Sequence, residues 1–320
     1  MEQVEISDEL IGQRVALRYR IGHRDGRLLY TDAVGELSAS GPGTVLVQTR
    51  RGPVHVDRAA VVAVRSVPPA PPRRASLTAI ARLEGLCADA WPAVVDRPLG
   101  AWRLRAAAGW TGRANAGLAI GDPGMPVPAA LEAVRSFAGE HSIRPRVHVP
   151  VGSPWDRAVT AQGWVLDVAH QRGAEVAVLV APLDGTRDPR VELPERPSDA
   201  WWELGLGGPP TPAQRHVLDP GGRPRTVFAQ VPAPDGTVTG TVRATVVEDH
   251  LHVSMLEVAP TARRQGLATA LLASVAAWGR EHGARWAVLQ VALHNTGARA
   301  LYDRVGYVEH HQYRYLVPPA

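Results

Sequence analysis

Alternation of apolar and polar positions dominates the first part of the chain. "RVALRYR", "GELSAS", "TVLVQTRR" and "GPVHVDRAAVVAVRSV" alternate or are rich in β-branched side chains, with Gly, Pro and Asp between them. That is the pattern of short strands joined by turns. About five such strands in roughly sixty residues predict a small β-barrel over residues 1–67. "PPAPPRR" follows at 68–74, a run that favours extended polyproline conformations, so 68–75 reads as a semi-rigid linker.

From residue 76 the period changes, and helical and strand-like segments alternate. "LTAIARLEGLCADAW" and "PAALEAVRSFAGEH" carry helical spacing, as does the shorter "PWDRAVTAQG". "AWRLRAAAG", "ANAGLAIG", "RPRVHVPV" and "AEVAVLVAP" read as strands. A Pro/Gly-rich stretch near 184–198 interrupts the series. The cycle then returns with strands "TVFAQV", "GTVTGTVRATVVED" and "HLHVSMLEVAP", helix 267–282, strand 285–292, helix 297–304 and strand 307–317. The two cycles correspond. "AVRSFAGEH" (133–141) aligns with "SVAAWGREH" (274–282), and "AVTAQGWV" (158–165) aligns with "ALYDRVGYV" (300–308) if one extra residue is allowed. A duplicated α/β unit is expected, with halves at 76–189 and 190–320.

One turn in the second half has a chemistry of its own. "LHVSMLEV" ends at Pro260, which cannot donate to a ladder, so strand pairing ends or splays there. Thr261–Gly266 then leads directly into a helix with Leu267, Leu271, Val275 and Trp278 on one apolar face. A helix N-terminus presents unpaired N–H groups and partial positive charge, which suits an anion. Gly266 permits close backbone approach, Ala268 keeps the next turn small, and Arg263 and Arg264 add formal charge. Taken alone, this spacing also fits a surface turn with solvated arginines.

The order V-x-P-x-x-R-R-x-G-x-A, then a helix, a strand and "HNTGARALYDRVGYVE", resembles the GCN5-related N-acetyltransferase superfamily over about 226–317. The resemblance implies that Arg263, Arg264, Gly266 and Ala268, with Thr269 in the following helical turn, hold the pyrophosphate of acetyl-CoA as cosubstrate. It implies an Asn that contacts the same molecule, here Asn295, and a Tyr facing the thioester sulfur, here Tyr302. Asn295 fits a helix cap equally well, and the two roles are compatible. The backbone N–H of Val258 becomes the donor to the reacting carbonyl. Glu257 beside it is the candidate base, although alternation leaves open whether it faces the cleft or solvent.

The whole layout resembles actinobacterial acetyltransferases with an SH3-like barrel ahead of two tandem lobes of this kind, some labelled histone-acetyltransferase-like. Mycothiol synthase is a similar tandem-lobe relative without the barrel. The implied fold class is α/β: an SH3-like barrel, then two acetyltransferase-type α+β lobes. The first lobe departs from the pattern. Asp122, Pro123, Gly124 and Met125 stand where the second has Arg263 to Gly266, and Val159 stands where Tyr302 does. The first lobe is therefore expected to be degenerate and not to bind acetyl-CoA.

Composition narrows the remaining classes. All 35 basic residues are arginine, so no side-chain lysine is available as a nucleophile. A net charge of +4 spread along 320 residues is not the clustered stripe of a nucleic-acid binder. Arg50, Arg51, Arg58 and Arg65 raise that idea for the barrel alone, against a packing or dimerisation role. Cys87 is the sole cysteine, which fits a reducing compartment and a buried small side chain. The acidic opening "MEQVEISDEL" lacks the apolar core of a signal peptide, and no apolar run approaches membrane length. A soluble cytoplasmic enzyme is expected, with no membrane partner, acting on an acceptor amine of a small molecule or peptide. A homo-oligomer is compatible with the sequence. No metal is expected: His250 and His252 on one strand and the pair His310–His311 read as solvated. The competing reading is a binding protein that senses acetyl-CoA without turnover.

Overall fold

Inward-facing apolar positions fold the first segment into five antiparallel strands: β1 (Arg14–Arg24), β2 (Arg27–Ser40), β3 (Thr44–Thr49), β4 (Gly52–Asp57) and β5 (Val61–Ser66). They are ordered β4-β3-β2-β1-β5. Val15, Leu17, Leu37, Val45 and Val47 are fully buried at alternate positions, as a one-sided sheet requires. The computed structural model describes residues 6–7, 10–24, 26–41, 43–49, 52–67, 75–170, 172–222 and 224–319, in two units, Met1–Arg73 and Arg74–Ala320. The linker residues 68–74 and Arg50 and Arg51 of the barrel lie outside the described residues. Arg58 donates to Gly41 O at 3.3 Å.

The second unit is built on one mixed sheet. Its strands in chain order are β6 (Val95–Leu99), β7 (Trp102–Ala106), β8 (Gly117–Leu118), β9 (Val147–Pro150), β10 (Val165–Leu166) and β11 (Glu175–Pro182). They are followed by β12 (Arg225–Pro232), β13 (Val238–Val247), β14 (His250–Val258), β15 (Trp286–Ala292) and β16 (Val308–Val317). The order across the sheet is β12-β13-β14-β15-β11-β16-β9-β8-β7-β6, with β10 paired to β16. In each half two adjacent strands run parallel, β8 with β9 and β14 with β15, and the other pairs are antiparallel. The last strand of each half is exchanged. β11 pairs with β15 of the second half, and β16 pairs with β9 of the first. The sequence division at 189/190 thus leaves β11 on the first-half side in the chain, while in space it lies between two second-half strands.

β11 is apolar from Val176 onward because both of its faces are covered. Val176 and Val178 join the core beneath α1 (Leu77–Ala90), while Ala177, Leu179 and Ala181 join the core beneath α6 (Leu267–Glu281). α2 (Val127–Glu140) and α3 (Pro154–Ala161) cover the first half, and Cys87 of α1 is buried, as its apolar neighbours suggested.

Several elements differ from the sequence expectation, among them β6 and β10, for which no strand was expected. "ANAGLAIG" yields only the two-residue β8, because the Asn115 side chain takes over the hydrogen bonding before it. Its Oδ1 accepts from Ala107 N (2.7 Å) and Gly109 N (2.9 Å), and its Nδ2 donates to Trp110 O (2.7 Å) and Thr111 O (2.8 Å). Two helices also stand where none was read, α4 (Asp199–Leu206) and α5 (Pro212–Leu218). Each is only about two turns long, too short for periodicity to register. Their caps were the available signal: Ser198 caps Trp201 N, and Thr211 with Gln214 forms a capping box behind Pro212. Trp201 and Trp202 of α4 are buried against Phe228.

Candidate active site

The parallel pairing of β14 with β15 runs from His250↔Trp286 to Val253↔Leu289 and then stops. Beyond it β14 stays with β13 and β15 stays with β11, so the sheet opens into a gap. A bulge in β14 marks the place. Its register against β13 shifts between Thr241↔Glu257 and Arg243↔Ser254, and Met255 has φ 55. A non-glycine residue in this region costs on the order of 1–3 kcal/mol, and such strain collects at functional sites. Past the bulge, Ala259 N donates to Thr239 O of β13 (2.9 Å). Backbone groups alternate sides along a strand, so the N–H of Val258, one residue earlier, points away from β13 and into the gap.

The turn to α6 passes through a 3₁₀ stretch, Pro260–Ala262. It then visits the left-handed region twice, at Arg264 (φ 66) and Gly266 (φ 74). Left-handed residues within a turn make successive N–H groups converge on one side. No side chain caps α6, so its first-turn N–H groups have no side-chain acceptor. Together the turn, the strand end and α7 (Thr296–Arg304) line a cleft of ≈ 850 Å³. Glu257, Val258, Arg263, Arg264, Gly266, Ala268, Thr269, Asn295 and Tyr302 all line it. The structure therefore brings these nine residues to one place. Arg263 is drawn back onto the strand end: its Nε donates to Val258 O (3.1 Å) and its Nη2 to Glu257 Oε1 (3.4 Å). The Glu257 side chain is 49 % exposed, at the cleft mouth.

A second cavity, of ≈ 440 Å³, lies on the other side of the gap. The two cavities share Leu256, Glu257, Asn295, Ala298 and Tyr302. Tyr302 is 9 % exposed, and its ring lies 5.6 Å from that of Tyr307. Burial, followed by the neighbouring Glu257 carboxylate, pushes its hydroxyl up to about 12, so it stays protonated at neutral pH. Asn295 caps α7 by accepting from Ala298 N (3.1 Å), and its amide NH₂ is left for the cavities. The second cavity is otherwise built from parts that sequence reading missed: Arg113 and Arg172 from loops of the first half, Gly205 of α4, and Ser254 and Gln290 at the gap. They are scattered over both halves, and no local spacing connects them.

The matching turn of the first half is closed on itself. The Asp122 carboxylate accepts the Gly124 N–H at 2.8 Å, occupying the donor with its own negative charge. Val159 is fully buried and carries no polar group. Several histidines correct the sequence reading. His250 and His252 are buried, the former against Asp249 (2.8 Å) and the latter beside Trp91 (ring centroids 6.2 Å). His311 is buried as well: it meets Glu84 of α1 at 2.8 Å, and His148 of β9 lies 3.3 Å from the other carboxylate oxygen. Burial alone would raise the Glu84 carboxyl, but His148 and His311 outweigh it and hold the group below its ordinary range. Strand-end position suggested solvent, but the partner carboxylate is supplied by a helix more than 200 residues earlier.

The chain resembles known proteins along most of its length. A sequence model described as "Probable histone acetyltransferase Rv0428c C-terminal" matches residues 78–316, and one described as "Rv0428c N-terminal Sm-like domain" matches residues 10–65. The chain is 31% identical over 314 residues to the "Probable histone acetyltransferase Rv0428c" of Mycobacterium tuberculosis, covering 96% of this chain and 95% of that one. It is 24% identical over 245 residues to the "Uncharacterized N-acetyltransferase YobR" of Bacillus subtilis, covering 73% of this chain and 98% of the relative. Among solved structures, a GCN5-related N-acetyltransferase from Kribbella flavida superposes with a TM-score of 0.55 at 18% identity, covering 75% of this chain and 95% of that one. That likeness establishes the fold, and no helix among the described residues is long and apolar enough to cross a membrane. The chain belongs to the Rv0428c family of acetyltransferases, with an Sm-like N-terminal domain and the fold of a GCN5-related N-acetyltransferase.

Proposed function

We propose that this enzyme moves an acetyl group from acetyl-CoA to an acceptor amine by direct attack within a ternary complex. The observation carrying this reading is the pair of cavities that meet at Tyr302. One is floored by the uncapped helix N-terminus and its arginines, and suits a pyrophosphate. The other enters from the opposite side of the gap and suits an acceptor. Two substrates seated this way meet without a covalent enzyme intermediate.

The fit to acetyl-CoA rests on Gly266. A Cβ added there meets nothing within 4 Å, so the space in front of the turn is open to a ligand. In this reading the N–H groups of the turn and the first turn of α6 take the phosphate oxygens, with Arg264 as counter-charge. The Val258 N–H supports the carbonyl oxygen as negative charge develops on it. Tyr302 donates a hydrogen bond to the departing sulfur, which leaves as the thiolate. The amine proton leaves through Glu257 at the shared wall, either directly or through water. Thiol release from acetyl-CoA by the full chain, assayed with an amine library, tests the proposal. Tight acetyl-CoA binding with no amine-dependent release would favour a sensor instead.

A further inference from the structure

The acceptor cavity carries more positive charge than the protein itself balances. Arg113 and Arg172 both line it, and Glu257, its one acidic lining residue, already faces Arg263 at 3.4 Å. Among the described residues neither Arg113 nor Arg172 has a carboxylate partner. Arg113 donates to the neutral Gln290 Oε1 at 3.0 Å and lies over the Trp91 ring at 4.4 Å. Arg172 feels Arg113 as a like charge. The nearby buried carboxylate, Glu84, is taken up by His148 and His311.

Two further groups extend the pattern inward. Ser254 is 8 % exposed and lines the cavity, and its Oγ has no hydrogen-bond partner among the described residues. Opposite it in the β13–β14 register stands Arg243, fully buried, with Nε on Leu218 O at 2.7 Å. Its Nη1 and Nη2 likewise have no hydrogen-bond partner among the described residues, and the guanidinium lies over the Trp91 ring at 5.5 Å. Ser254 and Arg243 are buried whereas Arg113 is half-buried and Arg172 exposed, and a buried polar donor left unpaired carries a free-energy cost. An arrangement of this kind is stable only if something else compensates it, and a bound ligand at a functional site is such a compensation.

We infer that the acceptor amine carries an anionic group, which Arg113, Arg172 and the Ser254 hydroxyl receive in this cavity. The inference rests on the acetyl-transfer reading only in treating the bound molecule as the acceptor. A volume of ≈ 440 Å³ is that of a small-molecule site, so the acceptor is a small amino acid-like or amino phosphate-like compound rather than a protein tail. Carboxylate and phosphate share the needed chemistry, oxygens that accept charged N–H donors. The same field favours the unprotonated amine, the form that attacks.

The test uses the full chain saturated with CoA and titrated calorimetrically with matched probes. These are α-amino acids beside their decarboxylated amines, and O-phosphoethanolamine beside ethanolamine. The expected result is that at least one anionic probe binds roughly tenfold or more tightly than its neutral-tailed counterpart, the worth of one charged hydrogen bond. Its class, carboxylate or phosphate, identifies the anion. Arg113→Gln and Arg172→Gln should each reduce that preference by roughly tenfold, with acetyl-CoA affinity serving as the folding check. Equal binding within every pair, binding by none, or a preference that survives both substitutions overturns the inference. Thiol release is read separately. Anion-selective binding without release from any amine sinks acetyl transfer and leaves the anion site standing, whereas release from plain amines without selectivity does the reverse.

Discussion

Replacing Tyr302 by Phe removes one oxygen from the wall shared by the two cavities. The ring stays packed beside Tyr307, 5.6 Å away, so the fold should be little affected. The effect on turnover can be worked from the hydroxyl's acidity. Its pKa of about 12 stands above the ordinary thiol value of about 8.5, so even transfer of its proton to the released thiolate would be uphill by about 5 kcal/mol. The hydroxyl therefore acts as a hydrogen-bond donor to a sulfur gaining negative charge. A hydrogen bond to a charged centre contributes about 1.5–3 kcal/mol, which corresponds to roughly 10- to 150-fold in rate. Thiol-release kinetics with saturating acetyl-CoA should show kcat lowered by about 100-fold, with acetyl-CoA affinity within about twofold of wild type. The acidity also sets the pH profile. Because the hydroxyl titrates above its ordinary value, wild-type activity should show no falling limb from this group between about pH 6 and about pH 10. A Phe variant whose turnover matches wild type across that range would remove Tyr302 from the mechanism.

Three other outcomes are expected. Gly266→Asp places a carboxylate before the phosphate-facing turn and should lower acetyl-CoA affinity by roughly 100-fold or more in calorimetry, beyond the loss in Gly266→Ala, which reports the cost of φ 74 together with a methyl in the ligand's space; equal losses would show that the turn does not meet an anion. Glu84→Gln should destabilise the second unit by about 1.5–3 kcal/mol, because His148 and His311 lose the buried carboxylate that lies against both. Since the folded-state pKa of Glu84 lies below its ordinary 4.5, its contribution is complete above that value and is lost as pH falls further; urea midpoints that track pH identically in wild type and variant would contradict this. Asn115→Ala frees two N–H groups and two carbonyls of the loop that carries Arg113, and a stability loss of about 3 kcal/mol is expected in denaturant titration. A loss under about 0.5 kcal/mol would mean that the loop is held by other contacts.

What was legible in the sequence is what is contiguous in the chain. The turn from Val258 to Thr269 and the segment from Asn295 to Tyr307 are each short enough for spacing to specify geometry, and both reach one cleft. The acceptor cavity was not legible, because Arg113, Arg172, Gly205 and Ser254 meet only after two halves of the chain fold together. The buried histidines were misread for the same reason. Whether His311 is solvated depends on Glu84, which its own neighbours do not reveal. Helices α4 and α5 lost their periodic signal to length, although their caps were written in the sequence. The bulge at Met255 left no compositional mark, since methionine has no preference for positive φ.

The exchange of β11 and β16 bears on how the enzyme is made. Contacts between distant strands wait for loop closure, and here the central pair joins residues 175–182 to residues 308–317. During synthesis the first half lacks one of the two neighbours of β9 until residues 308–317 emerge, and meanwhile β11 has no β15 to pair with. Neither half can therefore be cut away as an independent catalytic module. A fragment beginning at residue 190 would leave the gap-forming β15 as an open sheet edge, with unpaired backbone groups exposed to other chains.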